Sequence, residues 1–407
     1  MPRPTERLRT FSARSDTEMQ IYLDNSATTK ICPEALEVYT RVSLEQFGNP
    51  SSLHGMGHEA QTVTDEARKN ILSSVSAKSG RVIFTASGTE ANNLAIMGRA
   101  YAKERYLKGA KIITTEGEHS SVSEPIAALE KRGFKVARLS TVGGRIDLSE
   151  LERELTADTI LVSVMLTNNE TGAVYDLPKI SRLTHAKAPD ALVHTDATQA
   201  YMKIPFSLAV LGADMLTISS HKIEGPKGVG ALIVNDRVIK ERGLTAEILG
   251  GGQEGGLRSG TENVPGIAAF GEAVRVGALA IGERVKKLDS LRTALIDELR
   301  TRPELQEISI TLPRDAAPHI LNITLPFIKS ETMLHFLSSR GIFVSSGSAC
   351  SSNSHHRSAA LLAFGRSGEE ADSSIRISLS HRNERADIDA LCDALAEGLS
   401  SLARIRR

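Results

Sequence analysis

Cysteine is scarce in this chain: 407 residues hold three, Cys32, Cys350 and Cys392. An odd number, widely spaced, argues against a disulfide framework and for a reducing compartment, so a cytoplasmic location is expected. An excess of either charge is also missing. With 49 Lys+Arg against 49 Asp+Glu, the chain lacks the electrostatic footprint of a dedicated nucleic-acid or polyanion binder. No uninterrupted apolar run approaches the ~18 residues needed to cross a bilayer, so no membrane contact is expected. Residues 1–20 carry no apolar segment of a secretory signal. Their four arginines are offset by Glu6, Asp16 and Glu18, and the stretch reads as a disordered tail rather than a targeting segment. What is present, 41% hydrophobic and 24% charged residues, is ordinary globular composition at a length of two or three domains.

From residue 80 to about 235, β-rich runs alternate with helix-like stretches. The runs are Val82–Thr85, Lys111–Thr115, Val136–Leu139, Thr159–Met165, Ala191–Thr195, Met215–Ser219 and Gly230–Val234; Pro125–Arg132 and Pro178–His185 are helix-like. This alternation predicts an α/β fold with a mostly parallel sheet covered by helices, and ligands in such sheets bind beyond the carboxyl ends of the strands. Leu288, Leu291, Leu295 and Leu299 recur at helical spacing, as do Ile388, Leu391, Leu395, Leu399 and Leu402. Residues 21–270 are therefore expected to form a large domain and 271–407 a smaller α+β domain. Within the latter, residues 345–358 are half serine and read as a mobile loop with Cys350 in the middle. Cys392 lies on the apolar stripe and reads as structural. His355 and His356 lack partner ligands, so no metal site is expected.

The residues just after the runs carry the chemistry. One run ends in Ser219 and Ser220-His221-Lys222 follows it, and a lysine at a strand end can form a Schiff base with an aldehyde cofactor. Asp196 follows another and can hold a pyridine nitrogen protonated, with Gln199 placed to reach a ring oxygen. Ser87-Gly88-Thr89 opens a helix whose free N–H groups can cradle a phosphate. His119 follows a fourth strand and can stack on a ring. A phosphate seat, an acid for the ring nitrogen and an amine are together what pyridoxal phosphate requires.

These segments bring the chain to a family. It resembles the cysteine desulfurases of the NifS/IscS type, fold-type I pyridoxal-phosphate enzymes. The resemblance rests on Tyr22–Thr29, Gly48–His54, Asn168–Gly172, Asp196–Gln199, Ser219–Gly228, Arg258–Thr261, Ser345–Cys350 and Ser374–Arg376, in the family's order. It implies a large cofactor-binding domain, a smaller domain and a homodimer. It further implies that Lys222 bonds the cofactor and moves the substrate's proton, that Asp196 meets the ring nitrogen, Gln199 the phenolic oxygen and His119 the ring face, and that Asn169 lies close to cofactor and substrate. Gly88, Thr89, Ser219 and His221 would hold the phosphate with Thr261 of a partner subunit. Arg376 would grip the carboxylate of L-cysteine, and Cys350 would take up the sulfur as a persulfide, leaving L-alanine, for delivery to a sulfur-acceptor protein. The acceptor could serve iron–sulfur cluster assembly, tRNA thiolation or DNA phosphorothioation. One departure is Ala86-Ser87 in the phosphate turn, where Ser-Gly is usual. Two alternatives stay open: another lyase or aminotransferase of the same fold, such as one acting on selenocysteine, and a non-catalytic sulfur-carrier or scaffold subunit.

Overall fold

The structure is a computed structural model that describes residues 20–102, 109–346 and 357–403. Strand β1 (Ile21–Tyr22) opens the described chain. The seven expected β-rich runs follow as β2 (Arg81–Thr85), β3 (Lys111–Thr115), β4 (Lys135–Leu139), β5 (Thr159–Ser163), β6 (Leu192–Asp196), β7 (Met215–Ser219) and β8 (Gly230–Val234). They form one sheet in the order β2-β8-β7-β6-β5-β3-β4. β8 is antiparallel to both of its neighbours and every other pair is parallel. Two reversals cancel, so β2 runs the same way as β3 to β7, and all these strands end on one edge.

Alternate residues explain how both faces are covered. Ile83, Ile112, Leu161, Leu192, Met215 and Leu232 pack under the helices Gly88–Ala102 and Ser120–Lys131. Their neighbours Phe84, Ile113, Val162, Val193, Leu216 and Ile233 share the opposite core with Ala67, Ile71, Ile180 and Phe270. Helix Ser120–Lys131 begins earlier than its sequence pattern suggested and carries Pro125 inside its second turn. β5 is shorter than the expected run, stopping at Ser163, although Val164 and Leu166 still donate to the carbonyls of His194 and Asp196.

The remaining strands are β9 (Ser309–Thr311), β10 (Ile320–Thr324), β11 (Ile342–Phe343), β12 (Ser345–Ser346) and β13 (Ser374–Ser378). β12, β13, β10 and β9 form an antiparallel sheet, and β1 pairs in parallel with β11. The two cores divide differently from the expected boundary at residue 270. One helix, Val264–Thr301, runs through that point, giving Ile267 and Phe270 to the large core and Leu288, Leu291, Leu295 and Leu299 to the small one. Ile21 and Leu23 also belong to the small core, beside the buried Cys392. The expected loop 345–358 is corrected at both ends. Ser345 and Ser346 pair with Arg376 and Ile375, and Ser358 caps the helix Ala359–Phe364. Cys350 lies outside the described residues.

His194 gives the large sheet a measurable acid sensitivity. It is fully buried in β6, with Nδ1 2.8 Å from Ser163 Oγ on β5 and Nε2 3.1 Å from Thr217 Oγ1 on β7. Burial lowers its pKa from 6.5 to about 4, against the opposing pull of Asp196. The unfolded chain therefore binds a proton that the folded chain refuses, and stability is lost as pH falls from 6.5 to about 4. Between pH 7 and pH 5 this residue should cost roughly 2 kcal/mol. Urea unfolding of wild type and His194→Gln at both values should show the loss shrinking by that amount in the variant.

Candidate active site

The edge where β2, β3, β5, β6 and β7 end opens into a cavity of about 300 Å³. Each strand contributes a polar residue at its end or in the loop that follows. After β2, Ser87 Oγ accepts from Glu90 N at 3.1 Å, and Glu90 Oε2 reaches back to Ala86 N at 2.9 Å. Ser87 thus caps the Gly88–Ala102 helix. The N–H groups of Gly88 and Thr89 have no carbonyl inside the helix to bind and sit at its positive end. The uncommon serine of this turn consequently uses its hydroxyl on the helix itself and leaves the phosphate-type seat intact. Close packing dictates Gly230 and leaves little room beyond a glycine at position 88. A Cβ on Gly230 would come within 2.4 Å of the Ser87 carbonyl carbon, and one on Gly88 within 3.3 Å of Ser219 Cβ.

His119 caps helix Ser120–Lys131, its Nδ1 accepting from Ser121 N at 3.1 Å and lying 2.8 Å from Ser121 Oγ. Burial lowers its pKa, so the ring is neutral near pH 7, and the acceptor role of Nδ1 leaves the proton on Nε2. Beneath it, Glu118 accepts from Thr115 Oγ1 and Met165 N, and full burial pushes its carboxyl up to about 8. Asp196 ends β6. Its Oδ1 accepts from Thr198 N and its Oδ2 from Asn92 Nδ2, at 2.9 and 2.8 Å. The same Asn92 amide donates to Ser121 Oγ at 2.8 Å, so one side chain ties the carboxylate to the histidine cap. Asn92 and Ser121 were not among the sequence candidates.

Lys222 closes the short turn Ser220–Lys222 after β7. Its Nζ donates to the carbonyls of Ser26 and Ala27 at 2.6 and 2.8 Å, and Gln199 Nε2 donates to the same Ser26 carbonyl at 3.0 Å. His221 Nδ1 lies 3.1 Å from Thr28 Oγ1, and burial takes its pKa down to about 4. Asn168 binds Gly117 O, Glu170 N and Thr171 N, which fixes the turn that presents Asn169 to the cavity. Arg376 enters from β13 of the other sheet, with Nη1 donating to Asn169 O at 3.0 Å. Gly88, Thr89, His119, Asn169, Asp196, Gln199, Ser219, His221, Lys222 and Arg376 all line this one cavity. Thr261 does not. It is exposed and lines a smaller neighbouring cavity with Ala86 and Arg258.

The class-V aminotransferase model matches residues 21–391. The chain belongs to that family. Curated members include a cysteine desulfurase IscS of Dictyoglomus turgidum, 39% identical over 388 residues that cover 95% of this chain and 96% of the relative. Among solved structures, a NifS-like protein superposes with a TM-score of 0.86 at 35% identity, covering 94% of this chain and 100% of its own. SspA, solved in complex with cysteine, superposes at 0.76 with 31% identity and coverage of 90% and 100%.

Class-V enzymes of this group use pyridoxal phosphate, and the cavity fits it by its own chemistry. A dianion suits the free helix N–H groups of Gly88 and Thr89, a pyridine nitrogen suits Asp196, a flat ring suits His119 and an aldehyde suits Lys222. Ser26 Oγ, Asn92 Oδ1 and Thr167 Oγ1 are buried on the wall with no protein partner, polar atoms a ligand can satisfy.

Proposed function

We infer that this chain is a pyridoxal-phosphate-dependent cysteine desulfurase, which converts L-cysteine to L-alanine and passes the sulfur to Cys350. The convergence of Lys222, Asp196 and Arg376 on one cavity beside the Gly88–Thr89 helix start carries this. Bound there, the cofactor supplies an aldehyde for the substrate amine and a protonated ring that absorbs the electron pair left at Cα. Gly88, Thr89, Ser219 and His221 hold its phosphate, His119 covers its ring, and Gln199 serves the phenolic oxygen. Arg376 binds the substrate carboxylate, for which a guanidinium fork is suited, with Asn169 beside it. Lys222 takes the proton from Cα, and its ammonium has the Ser26 and Ala27 carbonyls to rest on. The Cys350 thiolate attacks the substrate sulfur, so the S–S bond of a persulfide forms as the C–S bond breaks.

Several features of its setting belong to the same proposal. The chain works as a homodimer, supported by the exposed Leu44, Phe47, Leu53 and Leu249 and by the position of Thr261 outside its own subunit's cavity. Thr261 of one subunit then completes the phosphate site of the other. The two described cysteines, Cys32 and Cys392, are free and buried, which suits a cytoplasmic protein. The persulfide is handed to an acceptor protein, with iron–sulfur cluster assembly favoured by the IscS-named relatives.

Cys350→Ser tests the chemistry. The variant should bind L-cysteine, yet form neither alanine nor a protein-bound persulfide above background. Sulfide release at the wild-type rate would sink sulfur transfer through Cys350 and favour a lyase of the same fold.

A further inference from the structure

The segment Tyr22–Thr29 lies against both sheets, and its acidic residue has no part in the chemistry described so far. Asp24 bridges to Ser378 of β13, and Asn25 and Ser26 donate to the carbonyl and hydroxyl of the same serine. This path sets the Asp24 carboxylate against Arg376. Oδ1 accepts from Arg376 Nη2 at 2.8 Å, while the Asn169 carbonyl holds Nη1. The arginine side chain is only 5% exposed and the aspartate 19%. Glu170, another carboxyl in the field of Arg376, is bonded to Ser358 Oγ at 2.5 Å.

We propose that Asp24 is the resident counter-ion of Arg376, competing with the substrate's carboxylate and so setting the affinity of the site for α-carboxylates. The proposal rests on Arg376 as the carboxylate-binding group. A guanidinium so far out of water is costly without a negative partner, and Asp24 supplies one while no substrate is bound. When substrate enters, two carboxylates share one guanidinium in a poorly screened site, and their repulsion subtracts from binding. The aim of Arg376 does not depend on Asp24, because β13 is fully buried between β12 and β10 and the Asn169 carbonyl fixes one arm. Asparagine at position 24 keeps an acceptor oxygen for Nη2 and removes only the competing charge. Asp24 is thus a specificity-determining residue that acts through Arg376.

Titration calorimetry of the holoenzyme with L-alanine and with L-alaninamide, which lacks the carboxylate charge, tests this. In Asp24→Asn the Kd for L-alanine should fall about tenfold, from two like charges about 6 Å apart at an effective dielectric near 20, partly screened. The Kd for L-alaninamide should stay within about twofold, since it gains nothing from the lost charge. Asp24→Ser carries the same expectation should Asp24→Asn fail to fold. Asp24→Glu, which keeps the charge, should bind L-alanine as wild type does. Unchanged or weaker L-alanine binding in Asp24→Asn, or a parallel shift of both ligands, would overturn the proposal. Arg376→Gln separates the two claims. If it leaves L-alanine binding intact, Arg376 is not the carboxylate group. If it abolishes binding while Asp24→Asn changes nothing, only the role of Asp24 fails.

Discussion

Lys222→Ala will fold and dock the cofactor but lose the absorbance band of the lysine-bound form near the visible–ultraviolet boundary, and alanine production from L-cysteine will fall to background. The backbone of the lysine turn is held without its side chain. Thr29 N donates to His221 O, Glu224 N to Thr29 Oγ1 and Ile223 N to Ser220 O. The lysine side chain faces the cavity, where the Ser26 and Ala27 carbonyls it leaves can be hydrated. The cost in stability is therefore small and the cost in rate large. Loss of a positioned proton-transfer group alone is worth about 10²–10⁴-fold, and the covalent anchor is lost as well. Absorbance spectra, thermal melts and alanine assays on the same preparation check all three statements. A variant that keeps the band would show that the cofactor bonds another amine.

Much of this site was legible because the fold concentrates function at strand ends. Asp196 and Ser219 end their strands, Gly88, His119 and Lys222 follow theirs within a few residues, and parallel strands bring such ends to one edge. Other parts left no mark in the sequence. The Ser26 and Ala27 carbonyls that receive Lys222 are backbone atoms, and any residue there would look the same. Asn92 lies inside a helix, where its polar side chain reads as a mild defect until the fold sets it between Asp196 and Ser121. Ser345 and Ser346 read as loop by composition, but pairing with β13 overrides that preference. The assignment of Ile21 and Leu23 to the small core is a long-range contact that no local pattern encodes. Thr261 stays apart from the cavity within one chain, and only the family resemblance suggests a role for it in a second subunit.

Asp196→Ala should lower kcat by on the order of 10²–10³-fold, the scale found when one preorganised electrostatic partner is removed from a reacting centre. KM for L-cysteine should change far less, because Arg376, the group proposed to hold its carboxylate, comes from the other sheet. Both carboxylate oxygens of Asp196 are fixed by hydrogen bonds, to Thr198 N and Asn92 Nδ2, so its charge is aimed before any ligand arrives. Asp196→Asn keeps the shape and discards the charge, and should be nearly as impaired as Asp196→Ala. Asn92→Ala does the reverse. It leaves the charge in place and cuts the link through Ser121 to His119, and should cost less, on the order of 10–10²-fold, the worth of one hydrogen bond to a charged group. That ordering separates charge from orientation: steady-state kinetics in which Asn92→Ala proved as damaging as Asp196→Asn would mean that the carboxylate acts through the position of His119 rather than through its own field.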